Sequence, residues 1–367
     1  MASRFWVGGT DTWNSTVGTK WATTSGGAGG ASVPTSTDDA FIDAASGAVT
    51  VTKGTSALNC LSLNFTGFTG TFASAGTSTI LNGGNLTRAT GMTYTATTGG
   101  FTFQGAGSYT VTSNGKALGK IQKTGTGTLS LVDALDVRAG SAGSKTMHLN
   151  AGTLNTNGFV LKCGDFSSSN SNTRTLTTTT AGYIDIYGVA GGIPATVWDT
   201  SIVTGLTITA GGKIVVDSPS IGSAFVGSVI SSGAITLPAL TVNPVGFVVL
   251  QISAPTFAGL HADISAGSAS MRIWLSQDVT VAGDLTLKGY LSNPSDRLLL
   301  LSNSSGTQRI LSCSGTVVAD KVSVQDNNAD GTASPFYATG KSVLVSNTTD
   351  WIIADPSKPL MLLGVGQ

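Results

Sequence analysis

Three pairs of aspartates are spaced closely enough in the chain to act together on a substrate: Asp38 with Asp39, Asp133 with Asp136, and Asp326 with Asp330. Hydrolysis of a glycosidic bond needs two carboxylates that flank the bond. Each pair lies in a turn-like setting of Gly, Asn or Ala, where Asp commonly accepts hydrogen bonds from its own backbone. Nothing beyond the residue type marks one member as an acid and the other as a base. We therefore predict no catalytic residues and no enzyme activity.

The segment from Asp326 to Gly331 is also rich in oxygen ligands, as calcium-binding loops are. An EF-hand loop ends on a bidentate glutamate, and this chain contains no Glu, since all 19 acidic residues are Asp. We therefore expect a capping turn here rather than a Ca²⁺ site.

Histidine and cysteine offer no metal site either. His148 and His261 have no second ligand nearby in the sequence, so we expect ordinary strand or turn residues. The cysteines Cys60, Cys163 and Cys313 are odd in number and widely spaced, which argues against a disulfide framework and against a zinc site. We expect buried, reduced thiols, no metal and no cofactor.

Composition excludes several classes of partner. The 19 basic and 19 acidic residues give a net charge of zero, so the chain lacks the basic surface that binds nucleic acid or an anionic membrane. No apolar stretch approaches the roughly 20 residues of a membrane-spanning helix. The N-terminus lacks the apolar segment of a secretory signal, so we expect any route out of a cell to be a different one, such as release inside a virus by lysis.

The element signal is a long series of very short alternating strands with Gly and Asn between them. Leu61–Phe65, Phe101–Phe103 and Leu129–Leu131 are examples, and the chain contains 49 Gly. Strands of two to four residues are shorter than those of a sandwich or barrel, and rows of Thr, Ser and Asn suit stacked coils. We predict an all-β fold, a β-solenoid wound as a right-handed parallel β-helix with coils of roughly 20 residues.

We divide the chain into five regions on the basis of these patterns. They are a Trp-rich N-terminal cap (1–45), a β-solenoid (46–183), a β-rich region with longer apolar strands (184–275), a C-terminal solenoid with a closing box (276–353), and an apolar tail (354–367). Trp6, Trp13 and Trp21 precede the first clear strand, so we expect them to cover the open end of the core rather than to form a carbohydrate-stacking platform. We assign Trp351 to the cap at the other end.

Both ends of the chain resemble a known group of proteins. The opening Arg4–Thr10, the rung Phe166–Arg174 and the closing stretch from Val324–Gly331 to Trp351 are similar to boxes in β-solenoid fibre and spike proteins of tailed bacteriophages. That group usually carries an aromatic pair where Pro335-Phe336-Tyr337 stands, and it usually ends soon after the position of Trp351.

The resemblance implies a virion structural protein, a head or tail fibre or spike that displays a β-solenoid surface to the host surface or its glycans. It also implies a homotrimer, made in the host cytoplasm and joined to capsid or tail proteins of the particle. The alternatives are a polysaccharide-degrading tailspike and a bacterial adhesin similar to autotransporter passengers, which share the Trp-rich opening.

The tail Leu360-Met361-Leu362-Leu363 is apolar and follows the closing box. Pro356 and Pro359 disfavour a helix and favour an extended segment. Such a segment can fold back on its own subunit, or it can add to another chain. We favour addition to another chain and predict that these four residues mediate attachment or oligomer contact.

Overall fold

The computed structural model describes residues 1–13, 19–54, 58–74, 76, 79–96, 99–140, 145–187, 195–217, 226–243, 248–266, 271–290 and 297–354. Within these residues the only helix is a single 3₁₀ turn, Ala44–Ser46, and nearly all other regular structure is β-strand. The strands stack in parallel into a β-solenoid, which confirms the predicted fold class. The right-handed winding stays a prediction.

The first half of the chain contributes strands of two to six residues, as the Gly-punctuated alternation predicts. In chain order they are β1 (Ser3–Trp6), β2 (Asp11–Thr12), β3 (Trp21–Ala22), β4 (Asp39–Phe41), β5 (Thr50–Lys53), β6 (Leu58–Cys60), β7 (Ser62–Asn64), β8 (Thr71–Ser74), β9 (Thr79–Leu81), β10 (Leu86–Thr87), β11 (Thr93–Ala96), β12 (Phe101–Phe103), β13 (Ser108–Thr112), β14 (Ile121–Lys123), β15 (Thr128–Leu131), β16 (Leu135–Asp136), β17 (Thr146–Leu149), β18 (Gly152–Asn155), β19 (Leu161–Cys163), β20 (Asp165–Ser167), β21 (Arg174–Thr178), β22 (Ile184–Ile186), β23 (Ala195–Thr200) and β24 (Leu206–Ala210).

The second half contains longer strands, up to nine residues. They are β25 (Lys213–Asp217), β26 (Val226–Ser232), β27 (Thr236–Leu237), β28 (Ala239–Asn243), β29 (Val248–Ser253), β30 (Thr256–Phe257), β31 (Leu260–Asp263), β32 (Met271–Leu275), β33 (Val279–Val281), β34 (Leu285–Lys288), β35 (Leu298–Ser302), β36 (Arg309–Cys313), β37 (Val317–Asp320), β38 (Val322–Asp330), β39 (Phe336–Thr339), β40 (Val343–Thr349) and β41 (Trp351–Ile353).

The chain forms two compact units, Met1–Val215 with Ser231–Gly233, and Val216–Ile230 with Ala234–Gln367. The change from one unit to the other falls inside the predicted region 184–275. The predicted region boundaries themselves stay predictions.

In the N-terminal unit each coil places one strand in a ten-stranded sheet, sheet A, whose order is β24-β21-β18-β15-β13-β10-β7-β4-β1-β3. Its pairs are parallel except the last, because β3 runs antiparallel to β1. One register column of sheet A consists of Leu129, Leu154 and Leu176, which are fully buried. The hydroxyl-bearing residues next to them along each strand face outward. Period-two alternation therefore sets which face each side chain occupies.

The second wall of the coil changes along this unit. The first coils contribute β2, β5, β8 and β11 to a four-stranded sheet that ends at β11. A different sheet, sheet D, begins at β16 and continues through β19 and β22. A third ladder, β6-β9-β12-β14-β17-β20-β23, places Cys60, Leu81 and Phe103 in one inward-facing column.

The C-terminal unit is also built of parallel pairings, such as the five-residue register between β29 and β32. The sheet D strands of this unit run β28-β31-β34-β37-β39-β41 and end at β41. Leu260, Leu285 and Leu287 are buried on its inner face. Residues 354–367 follow β41 directly, and all of them after Ala354 lie outside the described residues.

Candidate functional site

The predicted aspartate pairs are built into turns and strands by hydrogen bonds. Asp38 accepts bonds from the backbone N–H groups of Ala2 and Thr35 and from the Thr35 hydroxyl, and Asp39 accepts one from Ser62. Burial raises the pKa of Asp38, but these bonds outweigh it and hold the pKa below its usual value. The two carboxylates therefore serve the packing of the N-terminal coils.

The second pair is engaged in the same way. Asp133 accepts bonds from the backbone N–H groups of Ser113, at 2.8 Å, and Asn114, at 2.6 Å. Asp136 makes a bidentate ion pair with Arg138, with bonds of 2.9 and 2.8 Å. Burial raises the pKa of Asp136, and the Arg138 bonds more than offset that effect.

The candidate calcium loop is a strand. Asp326 and Asp330 both belong to β38, and one is buried while the other is exposed. The two carboxylate oxygens of Asp326 accept bonds from the Gly306 N–H and from the Asn347 side chain, which lower its pKa. Asn327, also buried, donates to the Arg309 carbonyl. The closing box therefore joins successive coils through the bonds that Asp326 accepts and the bond that Asn327 donates.

Histidine and cysteine are also placed as strand residues. His148 is half-buried in β17, where burial and the charge of Lys120 lower its pKa, and His261 is exposed in β31. Cys60, Cys163 and Cys313 are buried free thiols whose pKa values burial raises. Among the described residues, no group of three or more His, Cys or Asp side chains is close enough to hold a metal ion.

The three N-terminal tryptophans pack against one another at the end of sheet A. Trp6 and Trp21 are register partners on β1 and β3, with ring centroids 5.3 Å apart, and Trp13 lies 4.8 Å from Trp21. All three are at most 1% exposed. Trp13 also contacts Phe72, which connects the cluster to the aromatic core of the next coils. At this depth the rings have no exposed face on which a sugar could stack, and their role as an end cap stays a prediction.

Trp351 lies at the opposite end of the sequence, on the final strand of sheet D. Its ring contacts Phe336 edge-to-face at 5.2 Å, and its indole N–H donates to the Asn327 side chain at 2.9 Å. The closing box is thus tied to the last strand by a buried hydrogen bond. Leu360, Met361, Leu362 and Leu363 lie outside the described residues.

Sequence reasoning missed a set of buried cations. Arg174, the last residue of the quoted rung Phe166–Arg174, is fully buried and donates to the carbonyls of Ser168, Asn170, Asn172, Ile202 and Thr204 and to the hydroxyl of Ser168. It joins the loops of two successive coils. Its place at an inward position of β21, in a strand with the pattern Arg-Thr-Leu-Thr-Thr, is the signal that could have identified it.

Arg88 lies between β10 and β11, in the coil at which the four-stranded sheet ends. It is 2% exposed, donates to the Ala117 carbonyl at 2.7 Å and lies 5.1 Å from the centre of the Tyr94 ring. Burial lowers its pKa to about 10. A concavity of about 310 Å³ lies beside it, lined also by Thr66, Thr69, Thr90 and Asn114.

Lys123 lies in an apolar column. It follows Phe103 and precedes Leu149 in register, is fully buried, and donates to the carbonyls of Gly125 and Ala151. Burial lowers the pKa of Lys123 to about 8, whereas a lysine in an unfolded chain has a pKa of about 10.4.

We predict a pH dependence of stability from this lysine. Between pH 8 and about 10.4 the unfolded chain binds a proton that the folded chain does not, so raising the pH stabilises the fold. Relative to a Lys123→Met variant, the wild-type chain should gain up to about 3 kcal/mol of unfolding free energy as the pH rises from 7 to 10.5. Urea titrations of both proteins measure this difference, and parallel pH profiles would contradict it.

A second feature that sequence reasoning missed is a row of apolar side chains on the outer face of sheet D. Val318, Tyr337 and Ile352 are 40%, 40% and 41% exposed and stand on the consecutive strands β37, β39 and β41. Their outward position in alternating strands could have identified them from the sequence.

Comparison of the chain with protein-family models, curated proteins and solved structures gives no match. Among the described residues, the structure has no helix with the length and apolar character needed to cross a membrane.

Proposed function

We propose that this chain is a structural protein of a bacteriophage particle, a head or tail fibre or spike whose β-solenoid surface contacts the host surface or its glycans. The observation that carries the proposal is the structural role of three stretches, Arg4–Thr10, Phe166–Arg174 and Val324–Gly331. The opening box supplies the buried Trp6, the rung supplies Arg174, and the closing box supplies the Asn327 bond to Trp351. These three stretches are the ones that resemble phage fibre and spike proteins.

The proposed protein is made in the host cytoplasm, assembles as a homotrimer and joins the capsid or tail of the virion. In this proposal it works as a binding surface and not as an enzyme, and the hydrogen bonds that engage the predicted aspartate pairs within the solenoid support that role.

Labelling of intact virions tests this proposal. Gold-labelled antibodies raised against the recombinant chain should bind purified particles of a phage that encodes it, at the head or at the tail. The control is the same phage with the gene deleted. Labelling of lysed-cell debris without labelling of particles would refute a virion role, and labelling of the bacterial surface would favour the adhesin.

One residue favours the enzymatic alternative. Burial raises the pKa of Asp165, in β20, to about 6, a value suited to a general acid. Asp199 follows on the neighbouring strand β23, opposite Ser167, but its carboxylate accepts bonds from the Ser201 N–H and hydroxyl. Release of reducing ends from host polysaccharide by the wild type, lost in Asp165→Asn, would establish the hydrolase instead.

A further inference from the structure

Exposed apolar side chains concentrate at the end of the C-terminal unit. Among the described residues, the large apolar side chains that are exposed include Met1, Val132 and Ile202 in the N-terminal unit. All the others stand on the last strands, β37 to β41, and they are Val318, Tyr337, Val343, Val345, Ile352 and Ile353. The described part of region 184–275 contributes Ile202 alone.

Three of these residues form a continuous strip, which we call the apolar ladder: Val318, Tyr337 and Ile352. Tyr337 is the register partner of Ile352, and the pairing of Ala319 with Ala338 places Val318 beside Tyr337. Neighbouring strands are about 4.8 Å apart, so the three side chains lie side by side on one stretch of surface. The ladder faces outward, because Phe336 and Ala338 on either side of Tyr337 are buried.

The solenoid itself does not cover this strip. A further coil of the same chain would stack on the free edge of β41, in the direction in which β39 stacks on β37. The apolar ladder lies on the lateral face of the sheet, at right angles to that direction. Within the described residues, no further coil therefore covers this strip.

The apolar segment for which the sequence predicts oligomer contact follows β41 in the chain. The described structure stops at Ala354, one residue after β41, and residues 355–367 remain. After Lys358 this segment has no charged side chain, and its centre is Leu360-Met361-Leu362-Leu363. Four residues of chain, such as 355–358, have a contour length of about 13 Å.

We propose that the apolar ladder is the docking surface for residues 358–367 of a neighbouring copy of this chain. The inference rests on the homotrimer of the proposed function and names its contact. Each copy gives its tail to the next and receives one on its own ladder, an arrangement that closes into a ring about a threefold axis.

Charged substitutions on the ladder test this contact. The double variant Tyr337→Lys/Ile352→Lys should shift the trimer dissociation midpoint in light scattering to at least 100-fold higher protein concentration. Both positions are exposed, so circular dichroism and thermal unfolding of the subunit should stay as in the wild type. The matched control is Val132→Lys, which charges an apolar side chain of similar exposure, 45%, in the N-terminal unit and should leave the trimer intact.

Crosslinking shows which copy supplies the tail. One tagged protein carries Ile352→Cys and a second, differently tagged protein carries Leu362→Cys, and the two are mixed under oxidising conditions. We expect a disulfide that joins the two tags. The native cysteines are buried and do not compete. An internal disulfide in an Ile352→Cys/Leu362→Cys single chain, with no crosslink between chains, would overturn docking in trans.

Truncation after Ser357 separates this inference from the proposed function. A truncated chain that folds but stays monomeric supports docking. A truncated chain that trimerises as the wild type does would overturn the docking surface and leave the fibre proposal standing. A wild type that is monomeric at all concentrations would overturn the trimer and the docking together, whereas virion labelling decides the fibre role independently.

Discussion

Replacing Arg174 with methionine should lower the free energy of unfolding by about 4 kcal/mol, because removal of one partner from a buried, charged hydrogen-bond network costs about 3–5 kcal/mol. The guanidinium holds carbonyls of two loops, among them Ser168 and Ile202, at distances of 3.1 and 2.7 Å. Methionine fills much of the volume but donates no hydrogen bond, so the hydroxyl and carbonyl of the fully buried Ser168 lose their donor without access to water. Urea unfolding followed by circular dichroism measures the loss.

Two further variants make the test specific to the geometry of the guanidinium. Arg174→Lys keeps the charge, but a single ammonium cannot reach both loops, so we expect about half the loss. Arg4→Met removes an arginine that is only half-buried and donates to Ser32 and Ser3. Its cost should stay below about 1 kcal/mol, as for other partly exposed contacts. Equal losses for Arg4→Met and Arg174→Met would show that the buried hydrogen-bond network contributes no more to the free energy of unfolding than partly exposed contacts do.

Replacing Trp13 with alanine should cost about 3–5 kcal/mol, the usual loss for a large aromatic side chain truncated in a core. Trp13 has no exposed surface, and it contacts both Trp21 and Phe72. The cavity would open between the end strand β3 and the coils beneath it, so the N-terminal coils should also lose protection from hydrogen exchange first.

Trp274→Ala is the matched control. Trp274 lies in β32 at a half-buried position that alternates with the buried Ile273 and Leu275, so its removal should cost clearly less than removal of Trp13. Wild-type stability of Trp13→Ala, together with loss of glycan or partner binding, would overturn the cap and favour a binding platform.

The strands could be predicted because their alternation is regular. Leu129 and Leu131 are buried and Ser130 between them is half-buried, as the period of two requires. The same rule would have placed Arg174 and Lys123 inward, but their charge argues for exposure when the residue type is considered alone. Only the positions of the backbone carbonyls around them decide in favour of burial, and those positions depend on how neighbouring coils stack.

The candidate sites show a similar division. The turn setting of Asp133 indicated hydrogen bonding to the backbone, and the carboxylate does accept two backbone N–H groups. The sequence placed Asp326 in a turn as well, whereas it lies in the long strand β38 and bonds to Gly306 and Asn347 of neighbouring coils. Contacts between coils join residues that are about 20 positions apart in the chain. The local sequence pattern does not indicate which residues pair across such a separation.

The reversed strand β3 affects how copies of this protein can aggregate. A stack of parallel strands offers its end strand as a template on which identical chains can extend the sheet into a filament. At this end of sheet A the template is blocked, since β3 runs antiparallel and its Trp21 carbonyl already accepts hydrogen bonds from Gly30 and Ala31 of the same chain. Extension of sheet A into a filament through this edge is therefore disfavoured, and identical chains can accumulate without pairing there.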